Sequence, residues 1–211
     1  MQLVRSVKPA NVISYRNVRI KNWSSDARLD GKTSIVTGAN TGIGKETARD
    51  LARRGARVIL ACRDMEKAND AAKDIINDIG RNTVIPCKLD LADTKSICEF
   101  AEQIYNSESQ QITSRSKILC CFVNLAQSCF EMQYGVNHLG HFFLTFLLLD
   151  LLKQLRPARI ISLSSITHSM GKSQFDDLNS EKSYHPVKAY VQSKLANVLF
   201  TRELARRLEG E

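Results

Sequence analysis

Tyr190 and Lys194 stand four residues apart in Tyr-Val-Gln-Ser-Lys, near the end of a 211-residue chain. On a helix that spacing is one face, so it sets an ammonium beside a phenol. A free phenol titrates near ~10 and is a poor acid-base group at neutral pH, but a fixed positive charge stabilises its anion and lowers the pKa toward working range. The pair is common on solvated helices and gains meaning from its upstream partners. Ser164 and Ser165 close an apolar run, where a hydroxyl can bind a carbonyl oxygen. Asn137 offers an amide that can hold a water relay. Together these groups suit proton transfer at a carbonyl or alcohol.

A second chemistry is anion binding. Thr37-Gly38-Ala39-Asn40-Thr41-Gly42-Ile43-Gly44 follows the apolar run Thr33–Val36 and leads into a helical pattern. Gly38 permits a sharp turn, Gly42 lets backbone N–H groups approach a pyrophosphate, and Gly44 lets the helix pack close to the strand. The helix dipole and its unpaired N–H groups attract the anion. Taken alone, such a triad is equally a tight strand-to-helix turn.

The elements that must position these groups alternate in kind. Strands are expected at Thr33–Thr37, Arg57–Cys62, Thr83–Leu89, Ile118–Asn124 and Arg159–Ser165, and helices at Ile43–Arg54, Glu66–Ile79, Thr94–Tyr105, Gln133–Leu155 and Val187–Leu208. Gly55 is a natural C-cap. Asn106–Ser116 is polar, without periodicity, and reads as a loop. The alternation predicts βαβ units and an α/β, doubly wound parallel sheet in a single domain, with residues 1–28 as a basic tail and 29–211 as the dinucleotide-binding domain.

Composition narrows the partners. The chain is 43% hydrophobic and 25% charged, with a net charge of +8. The basic residues are scattered and no basic-aromatic module appears, which argues against nucleic-acid recognition. Six cysteines show no paired framework and read as buried thiols of a reducing compartment. His138 and His141 lack further ligands in helical register, so packing or capping is expected and no metal. The run Phe142–Leu152 is too short to span a bilayer. The first 25 residues carry Arg5, Lys8, Arg16, Arg19 and Lys21 without an acid; a transit peptide, a membrane-surface segment and an unstructured basic tail share that composition.

The set TGANTGIG (37–44), KLDL (88–91), YGVNHLGHF (134–142), RIISLSS (159–165) and YVQSK (190–194) resembles the short-chain dehydrogenase/reductase family, with five separated motifs in order from about Leu29 to the end. ACRD, VNHLGHFFLT and SKLANVLFTRELARRL are similar more narrowly to its retinol dehydrogenase branch, microsomal and NADP-using. The resemblance implies hydride transfer between NADP(H) and a lipophilic, retinoid-like carbonyl or alcohol. It makes Tyr190 the proton donor, Lys194 the group that lowers its pKa and binds the nicotinamide ribose, Ser165 the carbonyl-orienting hydroxyl and Asn137 the relay residue. Cofactor contacts are expected from Gly38, Asn40, Thr41, Gly42, Ile43, Gly44, Asp90 at the adenine, and Asn124. Members preferring NAD place an acid where this chain has Cys62, followed by Arg63; a guanidinium matches a 2′-phosphate bidentately, so NADP(H) is expected. Lys45 is either a second positive charge in reach or a solvated helix residue. The likeness to a microsomal branch implies a location on the cytoplasmic side of the endoplasmic reticulum; the basic first 25 residues suit membrane-surface association, with mitochondrial targeting as the alternative, and a homodimer is a further expectation.

Two departures from the family pattern stand out. Its Asn-Asn-Ala-Gly turn appears here as Asn124-Leu125-Ala126-Gln127, with a shortened connector before Phe130. The chain also stops at Glu211, where relatives continue with C-terminal strands, a Pro-Gly turn and helices that close the substrate pocket. A fragment, an alternative product and a decayed copy are the open readings. The expectation is an exposed edge at Arg159–Ser165, little turnover and poor solubility as a monomer. The competing function is an inactive member that binds nucleotide or pairs with a full-length relative.

Overall fold

The computed structural model describes residues 25–109, 117–122, 132–172, 174–178 and 180–210. Five strands form one parallel sheet in the order β3-β2-β1-β4-β5: β1 Lys32–Thr37, β2 Arg57–Cys62, β3 Val84–Lys88, β4 Lys117–Phe122 and β5 Arg159–Ser162. Helices α1 (Gly42–Arg53), α2 (Met65–Ile79) and α3 (Thr94–Ser109) alternate with the first strands. A helical run of α4 (Met132–Tyr134), a π-turn (Gly135–Leu139) and α5 (Gly140–Gln154) then precedes β5, and α6 spans Pro186–Arg207.

The apolar runs are continuous because both faces of the sheet are covered. Val36, Val58 and Leu60 pack with Leu51 and Ala52 of α1 and Ala68, Ala72 and Ile75 of α2. Their chain neighbours Ile35, Ile59 and Ala61 turn to the other face, against Ile97, Phe100 and Ile104 of α3 and Leu144, Leu148 and Leu151 of α5. Strand β1 lies between β2 and β4, so the chain reverses direction across the sheet at β1. Ligand crevices of open α/β sheets form at that reversal, beyond the carboxyl ends of the strands.

Four expectations change. Strand β5 ends at Ser162 rather than Ser165, because a 3-10 turn, Ile166–Met170, follows with Ser165 as its N-cap. Helix α3 takes in Asn106–Ser109, the start of the expected loop. Its end is held by Glu108, fully buried, which accepts from Thr33 Oγ1 at 3.2 Å and pairs with Arg57; this bond to distant strands leaves no local periodicity. Cys62 and Cys87 are buried, whereas Cys98 is exposed on the outer face of α3. Finally, Met132–Gln154 is, at 23 residues, long and apolar enough by composition to cross a bilayer. The shorter window Phe142–Leu152 missed this because the helix begins ten residues earlier. Leu144, Leu148, Leu151 and Leu152 of this helix are spent in the core.

Candidate functional site

The glycine turn is built by its backbone. Gly38 and Gly42 have φ of 61° and 54°, in the left-handed region that side chains disfavour. A Cβ on Gly44 would lie 2.4 Å from the Gly38 carbonyl oxygen, so turn and helix can approach only because that atom is missing. Thr41, the N-cap of α1, makes no side-chain capping bond. The first N–H groups of α1 thus have no cap from that residue, which fits an incoming anion. Cys62 sits beneath the turn beside the N–H groups of Ala39 and Asn40, and burial pushes its thiol up to about 11. The position where an acid would repel a phosphate is thus filled by a neutral group.

Beyond β2, Arg63 is exposed and its guanidinium makes no ion pair among the described residues. Lys45 is differently placed. Its ammonium pairs with Asp74 of α2 at 2.8 Å, within a network that joins Arg49 to Glu46, Asp74 and Asp78. Lys45 fits neither of its two expected settings as stated: its ammonium is engaged in a helix-to-helix ion pair. Asp90 follows β3, and its carboxylate accepts from Ala92 N at 3.0 Å. Asn124 and the Leu125–Gln127 turn lie outside the described residues, as do residues 1–24 of the tail and Cys129. Ser25 and Ala27, assigned to the tail, are bonded to Arg54, whose Nε donates to the Ala27 carbonyl at 2.8 Å.

The second cluster gathers on α6. Tyr190 is half-buried, and Lys194 Nζ lies 5.5 Å from the centre of its ring. Lys194 is only 3% exposed, and burial lowers its ammonium to about 8 from 10.5. That Nζ also donates to the Leu163 carbonyl at 3.4 Å. Ser164 Oγ donates to the Lys194 carbonyl at 2.8 Å, which commits this hydroxyl to holding β5 against α6. Ser165, one residue on, accepts only a long bond from Thr167 N at 3.4 Å, and its carbonyl receives His168 Nδ1 at 2.6 Å.

Asn137 reaches the same helix from the π-turn, a distortion that re-aims side chains and recurs at functional sites. Its Nδ2 donates to Ser193 Oγ at 2.9 Å, and that hydroxyl donates to the Tyr190 carbonyl at 2.7 Å. Asn197 Nδ2 donates to the carbonyls of Asn137 at 3.0 Å and Leu163 at 3.3 Å, while His138 Nδ1 donates to Asn197 Oδ1 at 3.0 Å. Ser193 and Asn197 therefore tie α6 to the π-turn, and Asn197 ties it to the end of β5 as well. Neither was singled out from the sequence, although Asn197 lies three residues after Lys194, in helical register with it.

The two histidines part company. His138 goes to α6, and His141 is buried beneath the glycine turn. The His141 Nδ1–H donates to the Val136 carbonyl at 2.9 Å, which leaves Nε2 to accept from the Thr37 hydroxyl at 3.1 Å. Burial holds this imidazole down to about 4. Packing and cross-element bonding is what both do.

The glycine turn follows β1, and the Ser165 hydroxyl, the Tyr190 phenol and the Lys194 ammonium gather beyond β5 and on α6, at the carboxyl ends of a parallel sheet. The short chain dehydrogenase family pattern matches residues 32–211. Retinol dehydrogenase 12 of Mus musculus is 51% identical over 189 residues, covering 89% of this chain and 60% of its own. Retinol dehydrogenase 13 of Homo sapiens is 54% identical, covering 88% and 57%. The chain thus spans about 60% of the length of these curated relatives. A crystal structure of a short chain dehydrogenase from Shigella flexneri 2a str. 301, complexed with NADP, superposes with a TM-score of 0.67 at 27% identity, covering 87% of this chain and 74% of that one. Motif order, sheet topology and these matches agree, and the chain belongs to the short-chain dehydrogenase family.

Proposed function

We propose that this chain is an NADP(H)-dependent oxidoreductase that reduces a retinoid-like or other lipophilic carbonyl, or oxidises the matching alcohol. The carrying observation is the conjunction on α6: Tyr190 with the Lys194 ammonium 5.5 Å from its ring, tied through Ser193 to Asn137. The retinol dehydrogenase names of its relatives support the substrate class.

Under this reading the glycine turn Gly38–Gly44, with Asn40, Thr41 and Ile43, receives the pyrophosphate at the N-terminus of α1. Arg63 binds the 2′-phosphate and Asp90 the adenine, with Asn124 beside the nicotinamide. When bound, NADP(H) supplies or accepts the hydride. Ser165 orients the carbonyl oxygen, Ser164 being already committed to α6. Tyr190 gives its proton to that oxygen as negative charge develops there. Lys194 holds positive charge beside the phenol and hydrogen-bonds the nicotinamide ribose, and Asn137 holds the water through which Tyr190 is reprotonated.

A second reading is supported by one observation. Phe142 and Phe146 of α5 and Val187 and Leu199 of α6 are apolar and exposed, Phe146 to 66%, which gives both helices a face for pairing with a full-length relative. In that case the chain binds nucleotide, or its partner, without turnover.

The two readings separate in one experiment. Purified chain is supplied with NADPH and all-trans-retinal, and the loss of NADPH absorbance is followed. Consumption that disappears in Tyr190→Phe supports the enzyme, and NADPH binding without consumption supports the second reading. The absence of any NADPH binding contradicts the enzyme and the nucleotide-binding form of the second reading.

A further inference from the structure

Two cationic residues are joined where β2 and β3 end, through a bond from the Lys88 ammonium to the Arg63 backbone, and neither is ion-paired with a carboxylate among the described residues. Lys88 closes β3 in register with Cys62, and its Nζ donates to the Arg63 carbonyl at 2.6 Å. Arg63 is the first residue beyond β2, and both side chains are exposed. The acids nearby in sequence are engaged elsewhere. Asp64 caps α2 by accepting from Lys67 N at 3.1 Å and pairs with Lys67 Nζ at 3.2 Å. Asp90 turns to the Ala92 N–H. Lys45, the other cation considered for this corner, is held by Asp74.

An ammonium bonded to one carbonyl retains two donors, and an exposed guanidinium retains five in a planar fork. An exposed guanidinium carried on the backbone that the ammonium holds can swing toward the same ligand, and a dianion there accepts from both while offsetting their mutual repulsion. The corner also lies at the carboxyl ends of the strands, on the side of the sheet where the glycine turn emerges. We infer that Lys88 is a specificity-determining residue for the cofactor: with Arg63 it forms a two-cation receptor for a phosphomonoester, the 2′-phosphate of an adenine nucleotide. Lys88 acts twice, fixing the backbone that carries Arg63 and adding the second charge from a different strand. The inference rests on the NADP(H) reading above and deepens it.

The test is binding, not turnover. The chain and its Lys88→Gln, Lys88→Arg and Arg63→Ala variants are titrated with NADPH, NADH, 2′-AMP, 5′-AMP and inorganic phosphate. Lys88→Gln is expected to weaken NADPH and 2′-AMP by about tenfold while NADH and 5′-AMP stay within about twofold, and Lys88→Arg is expected to keep most of the preference. NADH affinity serves as the internal check on the fold. A Lys88→Gln variant that weakens both dinucleotides alike, or neither, while the parent chain still prefers NADPH, overturns the role of Lys88 and leaves the cofactor reading standing. Equal affinity of the parent chain for NADPH and NADH overturns the cofactor reading itself. Inorganic phosphate competing as well as 2′-AMP would make the corner a general anion site and overturn the nucleotide assignment.

Discussion

Lys194 carries a cost that can be measured apart from catalysis. It is buried with no carboxylate set against it among the described residues, and burial lowers its ammonium from 10.5 to about 8. Below pH 8 the folded and unfolded chains both hold the proton, and the full desolvation cost opposes folding. Between 8 and 10.5 the unfolded chain binds the proton that the folded chain releases, so stability rises with pH. At about 1.4 kcal/mol per unit the span is about 3 kcal/mol. Lys194→Met should therefore raise stability at pH 7 by up to about 3 kcal/mol, and the gain should vanish by pH 10.5 in denaturant titrations. A variant less stable than the parent at pH 7 would show that the ammonium is compensated. Tyr190→Phe removes one hydroxyl and should abolish turnover with NADPH affinity changed by less than about threefold, since the phenol acts on the reactant; unaltered turnover would remove Tyr190 from the mechanism. The spacing of Tyr190 and Lys194 is legible because a helix repeats. Lys88 and Ser193 are not, because their partners Arg63 and Asn137 lie 25 and 56 residues away.

The elements were legible wherever burial is periodic. Strands β1 and β2 and helix α2 fall within a residue of their expected bounds, since both faces of the sheet are buried and the apolar runs are unbroken. The misses occur where one long-range bond decides. Helix α3 continues to Ser109 because Glu108 reaches Arg57 and Thr33, and Glu108→Ala should cost about 1–3 kcal/mol by leaving Thr33 and the partly exposed Arg57 guanidinium without their buried partner. A loss below about 1 kcal/mol in urea unfolding would mean that solvent replaces the pair. The π-turn was not legible either, as one inserted residue leaves no mark in a sequence already rich in apolar side chains. Its neighbour His141 links α5 to the end of β1 and is neutral down to about 4 against an ordinary 6.5. Here the unfolded chain binds the extra proton between pH 6.5 and 4, so stability should fall as pH drops through that window, by about 3 kcal/mol in all. His141→Gln should flatten the dependence; an unchanged slope would assign it to other groups.

At the scale of the molecule, one sheet brings two residue sets to one rim: the glycine turn after β1, proposed to bind an anion, and the Ser165, Tyr190 and Lys194 set after β5 and on α6, proposed to transfer a proton. The parallel, doubly wound sheet was legible because strands and helices alternate along the chain, whereas the strand order β3-β2-β1-β4-β5 came from the structure. The exposed apolar faces of α5 and α6 were not, since periodicity cannot tell a core stripe from a surface one on helices this apolar. If those faces pair with a second copy, Phe146→Glu should shift sedimentation from dimer to monomer without changing NADPH affinity, and a parent chain that is monomeric at tens of micromolar would exclude the homodimer. The central claim is that this rim is a nicotinamide cofactor site tuned for the 2′-phosphate. The measurement that reaches it most directly is a titration of the purified chain with NADPH and NADH, repeated with Arg63→Ala. One charge-assisted phosphate contact contributes about 1.5–3 kcal/mol, so NADPH should bind at least about tenfold tighter and the variant should erase that difference. Equal affinities in the parent chain, or a preference that survives Arg63→Ala, would contradict it.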